Sequence, residues 1–223
     1  MEIISHRANL IGSDKRRENT AEACEECLNL GFGLELDVRN YLNGLYAKHD
    51  PVISEDEQSW LQVVSVVSNY PLLPIAINIK ETGYEQALVN SIFDLCKENI
   101  FLFDLELVVG IQKYESLLST YKALDLTTEV AVRVSDHNET IERAVESHNR
   151  VIWLDEFDSF WASQGTIQEL KKASKKIYAV APDLHKHSLD ISMSRCKEFA
   201  LWNVDGICTD YPIMLKNILE EVN

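Results

Sequence analysis

Short apolar runs, each closed by a polar residue, recur along the 223-residue chain with amphipathic stretches between them. Ile3-Ile4, Gly33 to Val38, Pro74 to Lys80 and Phe101 to Asp104 read as buried strands. Val130 to Val134, Val151 to Asp155, Ile177 to Ala181 and Gly206 to Thr209 continue the series. The intervening segments carry helical periodicity. A helix is predicted from Thr20 to Leu30, capped at Asn19 or Thr20 and stopped at Gly31, with Ala21, Cys24, Leu28 and Gly31 as its inner stripe. Ser54-Glu55-Asp56-Glu57 reads as a capping box opening a second helix, whose apolar face is Trp60, Val63, Val64 and Val67. Further helices are predicted at Gly83 to Lys97, Ile111 to Lys122, Asn138 to His148, Thr166 to Lys175 and from Pro212 onward. Asp136 and Glu139 repeat the capping signal, and Asn43-Gly44 marks a hairpin-like excursion after the second strand.

Strand alternating with helix eight times predicts a (βα)₈ TIM barrel occupying residues 1–223 as one domain. An open doubly wound sheet is the architectural alternative, but it commonly has fewer strands and a glycine-rich first turn. In a barrel, chemistry gathers at the C-terminal ends of the strands. The residues closing the predicted strands are His6, Asp37, Lys80, Asp104, Arg133 and Asp155, with His185 nearby. So many ionisable groups on one rim must be paired or ligated, because isolated buried charge is costly. Trp153 is expected inside the barrel or at its mouth. Arg133 and Asp155 fit either a buried salt bridge or substrate contact. His185 and His187 are expected on a surface loop, with one of them within reach of the pocket as the alternative, while His137 and His148 look solvent-facing.

Composition narrows the partners. Hydrophobic residues make up 46% of the chain, enough for a substantial core. The formal net charge of −15 weighs against nucleic acid and anionic bilayers, and no apolar run approaches the roughly 20 residues of a membrane span. Five scattered cysteines, with Ile3-Ile4 already reading as a strand, point to a cytoplasmic protein. Cys24 and Cys27 form a C-x-x-C inside an acidic helix, with no second such pair to complete a zinc site, so core packing is expected. The sequence does not indicate an oligomeric state.

Glu35 and Asp37 are two residues apart, so on a strand both side chains leave one face while Leu34, Leu36 and Val38 take the other. Their mutual repulsion calls for a cation between or beside them. Mg²⁺ or Ca²⁺ suits such oxygen donors, with Mn²⁺ a further candidate. Ion pairing with Arg7, Lys80 or Arg133 is the alternative. His6 and His49 bracket the acids in sequence, which suggests an acid/base couple.

His6-Arg7, Glu18-Asn19-Thr20, Glu35-Leu36-Asp37-Val38, Asn43-Gly44 and Lys48-His49-Asp50-Pro51 stand in an order and spacing that resembles the N-terminal signature of the glycerophosphodiester phosphodiesterase superfamily. Phosphatidylinositol-specific phospholipase C belongs to the same broad group. Each piece alone is unspecific; five in register are not. Val204 to Pro212 resembles the closing motif, so the likeness spans nearly the whole chain, more specifically at its ends than in its middle. It implies a small-molecule phosphodiester substrate, catalysis by His6 and His49, and a divalent cation on Glu35, Asp37 and residue 78. Attack would come from an adjacent substrate hydroxyl or from water. Residue 78 departs from the pattern: Ile-Glu-x-Lys is usual there, whereas Asn78-Ile79-Lys80 places a neutral amide in the glutamate's position. Lys80 is retained on the same strand face and suits a phosphate oxygen, as do Arg7, Arg133 and His185 on the rim, with Asp104 and Asp155 beside them. The short interval from Asp50 to Ser54 leaves no room for the subdomain that typical bacterial members insert there. The weakened metal site also admits a non-hydrolytic phosphate-ester binding protein, and Lys80 a Schiff-base aldolase.

Overall fold

A computed structural model describes the chain apart from Asn43, Cys96, Leu126, Asn138, residues 221–223 and the Lys97 side chain. Its centre is a mostly parallel sheet built from β1 (Glu2–His6), β2 (Gly33–Tyr41), β4 (Ile75–Ile79), β5 (Ile100–Phe103), β6 (Glu129–Val130), β7 (Val132–Val134), β8 (Val151–Leu154), β9 (Lys176–Val180) and β10 (Gly206–Thr209). Pairing runs β6-β5-β4-β2-β1-β10-β9-β8-β7. The two ends of that path, β6 and β7, are separated only by Ala131, whose N–H donates to Leu102 O at 2.8 Å. They are therefore two halves of one interrupted strand, and the sheet closes there into an α/β TIM-barrel domain with the eight predicted strands. The antiparallel β3 (Gly44–Ala47) folds back on the outer half of β2, pairing Val38 with Ala47 and Arg39 with Tyr46. This is the expected hairpin, although Asn43 itself lies outside the described residues.

The helices are α1 (Ala21–Asn29), α2 (Trp60–Val67), α3 (Glu85–Ser91), α4 (Leu105–Val109), α5 (Ile111–Leu124), α6 (Ile141–Glu146), α7 (Gln164–Lys172), α8 (Leu189–Leu201) and α9 (Pro212–Glu220). Several local expectations change. Thr20 alone caps α1, accepting from Ala23 N, and the buried stripe is Ala23, Cys24, Cys27 and Leu28. Asn19 faces inward instead, and Gly31 is exposed. The Ser54–Glu57 box starts no helix: Ser54 Oγ turns to Asp56, Glu57 pairs with Lys48, and α2 begins six residues after Ser54 behind Ser59. Asp136 likewise caps no helix; it accepts the N–H groups of Phe157, Asp158 and Ser159 and fastens the loop after β8, while Thr140 caps α6. The predicted helix start at Asn138 lies outside the described residues. α8 escapes sequence reading because its buried face mixes Ser192 and Arg195 with Met193, Cys196 and Phe199, which breaks the apolar stripe.

Two layers of core follow from the strand alternation. Outward-facing Leu34, Leu36, Ile77 and Ile79 pack beneath the first helices, and Val132, Val134, Ile152 and Leu154 beneath the later ones. The barrel interior holds Ile4, Ala76, Phe101, Phe103, Ala131, Trp153, Tyr178 and Cys208. Phe101 stacks on Tyr178 at 4.9 Å between ring centroids, and Phe103 lies 4.2 Å from Trp153. Gly206 makes room for this layer, since a Cβ there would meet Tyr178 Cδ1 at 2.7 Å. The interior is thus filled by side chains, and the polar residues are displaced to the rim above it.

Candidate active site

His6 ends β1 beside Glu35 in the strand register. Its Nδ1 lies 2.7 Å from Asp210 Oδ1, and its Nε2 lies 3.8 Å from Glu35 Oε2. Asp210 follows β10 and is held in place by Asn9 Nδ2 at 2.8 Å, while its own N–H donates to Asp183 Oδ2 at 2.9 Å. Burial by itself lowers the His6 pKa, but the Asp210 hydrogen bond and the charges of Glu35 and Asp210 outweigh it, so the ring titrates above its usual value. The same contact holds Asp210 low despite its burial.

Both β2 acids project from the inner face, as their spacing requires. Asp37 is fully buried and pairs with two cations, Arg7 Nε at 3.0 Å and Lys80 Nζ at 2.9 Å. Asn19 braces it further: its Nδ2 donates to Asp37 Oδ2 at 2.9 Å, and its Oδ1 accepts the Asp37 N–H at 3.0 Å. Burial pushes the Asp37 carboxyl up, and Lys80, Arg7 and Asn19 more than reverse this, leaving it below the ordinary range. Glu35 is treated differently. It accepts the Arg7 N–H at 3.2 Å and Asn78 Nδ2 at 3.3 Å. Burial first, and then the neighbouring Asp37 charge, push its carboxyl up to about 7.

Asp37 and Asn78 are register partners on adjacent strands, and Asn78 Oδ1 is buried without a hydrogen-bond partner. Glu35, Asp37 and that orphaned amide oxygen form a set of hard oxygen donors of the type Mg²⁺ and Ca²⁺ accept. The fit has one condition, that Lys80 yields Asp37 Oδ1. Among the described residues no three His, Cys, Asp or Glu side chains form a metal-type cluster.

His49 sits on the loop after β3 with its side chain 38% exposed and Nδ1 3.0 Å from Asp50 Oδ1. Partial burial lowers its pKa; Asp50 opposes this, and the Lys80 charge adds to it. The Arg7 charge thus reaches both histidines. A cleft of about 550 Å³ opens beside His49, lined in part by Lys15, Arg16, Asn19 and Lys48.

The remaining rim residues form a second cluster. Arg133 is only 3% exposed. Its Nε donates to Asp104 Oδ1 at 2.9 Å, and its terminal nitrogens pair with Asp104 and Asp155. His185 Nε2 lies 2.6 Å from the other Asp155 oxygen, and Phe157 covers the Arg133 guanidinium at 5.2 Å. With its donors engaged by two carboxylates, Arg133 is a buried salt-bridge centre in this arrangement, and Asp104, Asp155 and His185 brace it. His187 stays outside, against Phe160. The two clusters are linked through Asp183, which accepts the Asp210 N–H, and through His185, two residues on, which contacts Asp155. A larger cavity, about 630 Å³, lies at the opposite end of the barrel around Glu2, Phe32 and Leu201, away from these groups.

The structure brings His6, Arg7, Glu35, Asp37, Asn78 and Lys80, all named from the sequence, into one set of contacts. Asn19, read from the sequence as a candidate helix cap, instead braces Asp37, and Asp210, which the sequence did not single out on the rim, contacts His6. The signal for Asp210 was present, since it follows a predicted strand end as the other rim residues do.

Among solved structures, the chain resembles a glycerophosphodiester phosphodiesterase from Agrobacterium tumefaciens C58 at 18% identity and a TM-score of 0.71, with 99% of each chain covered. Two glycerophosphodiester phosphodiesterases from Parabacteroides distasonis align comparably. One has 11% identity and a TM-score of 0.72 over 99% of this chain and 98% of that one. The other has 12% identity and a TM-score of 0.73 over 100% and 87%. At these identities the likeness is one of fold, and the compact size is shared. No family model and no curated protein sequence matches the chain.

Proposed function

We propose that the chain hydrolyses a small phosphodiester of the glycerophosphodiester kind, using His6 and His49 as a proton-transfer pair. The observation that carries this reading is the partly buried His6–Asp210 pair facing Glu35, with Lys80 and Arg7 alongside. The barrel's likeness to three glycerophosphodiester phosphodiesterases supports the reaction class. Asp210 fixes the His6 ring through Nδ1, which leaves Nε2 toward the mouth as the atom that holds or releases a proton. Asp50 engages His49 through Nδ1, so its Nε2 is the corresponding atom on the loop side. One ring takes a proton from the attacking hydroxyl or water, and the other gives one to the departing alcohol. Lys80 and Arg7 turn from Asp37 toward the nonbridging phosphate oxygens, where an ammonium and a guanidinium both bind well. A divalent cation held by Glu35, Asp37 and Asn78 Oδ1 would supply further stabilisation of the charge that develops on those oxygens. The Arg133 cluster keeps the far wall of the mouth rigid.

A second reading, phosphate-ester binding without hydrolysis, is favoured by the neutral Asn78 and by the double cation pairing of Asp37. One experiment separates the two: ³¹P NMR of a panel of glycerophospho-alcohols and cyclic phosphates with Mg²⁺, Mn²⁺, Ca²⁺ or chelator. New monoester resonances support hydrolysis, whereas shifted but uncleaved resonances under every condition support binding alone. The four described cysteines are free thiols, which suits a reducing compartment.

A further inference from the structure

We infer that Arg39 and Glu81 form a clamp that sets the position of His49, making Arg39 a positioning residue for the reaction proposed above. This rests on that reading, because it concerns how one of its two histidines is held. β2 runs on beyond its barrel neighbours, and its outer half pairs with β3, so the loop bearing His49 leaves the barrel at the end of a two-stranded overhang. Two-stranded ribbons are weakly held on their own. Arg39 shares a strand face with Glu35 and Asp37, two residues beyond the latter. Its Nε donates to the His49 carbonyl at 2.7 Å, and its Nη1 pairs with Glu81 Oε2 at 3.2 Å. The other Glu81 oxygen accepts the Asn40 N–H at 2.6 Å. One carboxylate therefore fastens both the guanidinium and the backbone of the overhang to the end of β4.

The neighbouring residues tie this clamp to the phosphate side of the site. Lys80 reaches Asp37, while Glu81, the next residue, reaches Arg39. The Lys48 N–H donates to Asp37 O at 3.1 Å, so the segment entering His49 is anchored on β2 as well. A single dipeptide at the end of β4 thus fixes both the ammonium that faces the acids and, through Arg39, the backbone of the half-exposed histidine. Arg39 itself touches no reacting group; its effect is transmitted through the His49 carbonyl. Displacements near 1 Å in such a constellation cost up to about 100-fold in rate.

The test is a double-mutant cycle on turnover of bis(p-nitrophenyl) phosphate with added Mg²⁺, using Arg39→Met, Arg39→Lys, Glu81→Gln, His49→Ala and Arg39→Met/His49→Ala. Arg39→Met is expected to lower kcat about 10- to 100-fold with KM within about twofold. Arg39→Lys, which reaches either Glu81 or the His49 carbonyl but not both, should recover part of the loss. Glu81→Gln should lie in the same direction with a smaller effect. On the His49→Ala background, Arg39→Met should change kcat by less than about twofold, since its route of action is already gone. An equal loss on both backgrounds overturns the clamp, as does an unchanged kcat in Arg39→Met with His49→Ala inactive. Should Arg39→Met fail to fold, the Glu81→Gln/His49→Ala cycle carries the same two outcomes. Normal turnover in His49→Ala sinks the two-histidine reading itself, and the clamp with it; absence of turnover by the unaltered protein does the same.

Discussion

Replacing Asp210 with Asn isolates the link between the last strand and the chemistry of the first. The substitution keeps the shape and leaves the backbone N–H of residue 210 on Asp183, but it removes the charge 2.7 Å from His6 Nδ1. A hydrogen bond to a charged group contributes about 1.5–3 kcal/mol, and each 1.4 kcal/mol is a factor of ten. Turnover should therefore fall about 10- to 150-fold. Burial, which disfavours the protonated ring, would then be opposed mainly by Glu35, so the His6 pKa should drop from its raised position. Two assays read this together. Proton NMR follows the His6 ring resonances against pH in chelator, and ³¹P NMR follows phosphodiester cleavage. Circular dichroism confirms that the barrel persists. A His6 titration that stays in place, together with turnover within about twofold of the unaltered protein, would refute the claim that Asp210 governs His6.

Three further outcomes are expected. His6→Ala and His49→Ala should each cost about 10²–10⁴-fold in cleavage while leaving thermal unfolding near that of the parent, because rim side chains carry little of the barrel's packing; turnover close to normal in either variant removes that histidine from the mechanism. Asn78→Glu should tighten Mg²⁺ or Ca²⁺ binding in isothermal titration, and Asn78→Leu should weaken it, since affinity follows ligand charge; three equal affinities, or none, would leave Lys80 and Arg7 as the phosphate ligands. Asp183 is pushed up to about 6, chiefly by burial, so its contribution to stability is fully present below the unfolded carboxylate value near 4 and is lost as pH rises through about 6. Urea unfolding of Asp183→Asn should therefore gain on the parent as pH rises across that window, and a stability difference that is flat between pH 4 and 6 would contradict the assignment.

Strand alternation was legible because it depends on a two-residue period that local sequence expresses directly. It placed Glu35 and Asp37 on one face, Asn78 and Lys80 on one face, and Trp153 inside the barrel, all without knowledge of the partners. Helix boundaries were less legible wherever a polar residue had two suitors. Ser54, Glu57 and Asp136 carry capping chemistry, yet Ser54 closes only a local turn on Asp56, Glu57 is taken by Lys48, and Asp136 by the loop after β8.

What the chain alone determined about its rim was which residues end the strands; which of them touch was decided by closure of the barrel. Closure brings β10 beside β1 and so sets Asp210, 204 residues away in sequence, against His6. It also decides how the charges are shared. Sequence spacing required a cation near Glu35 and Asp37, but only the tertiary arrangement assigns Arg7 and Lys80 to Asp37 and leaves the buried Glu35 facing the His6 ring at 3.8 Å. Arg133 was equally able to serve substrate or structure until Asp104 and Asp155 were placed on either side of it. Electrostatic pairing depends on distances of a few ångströms between residues remote in sequence, and those distances exist only once the barrel has closed.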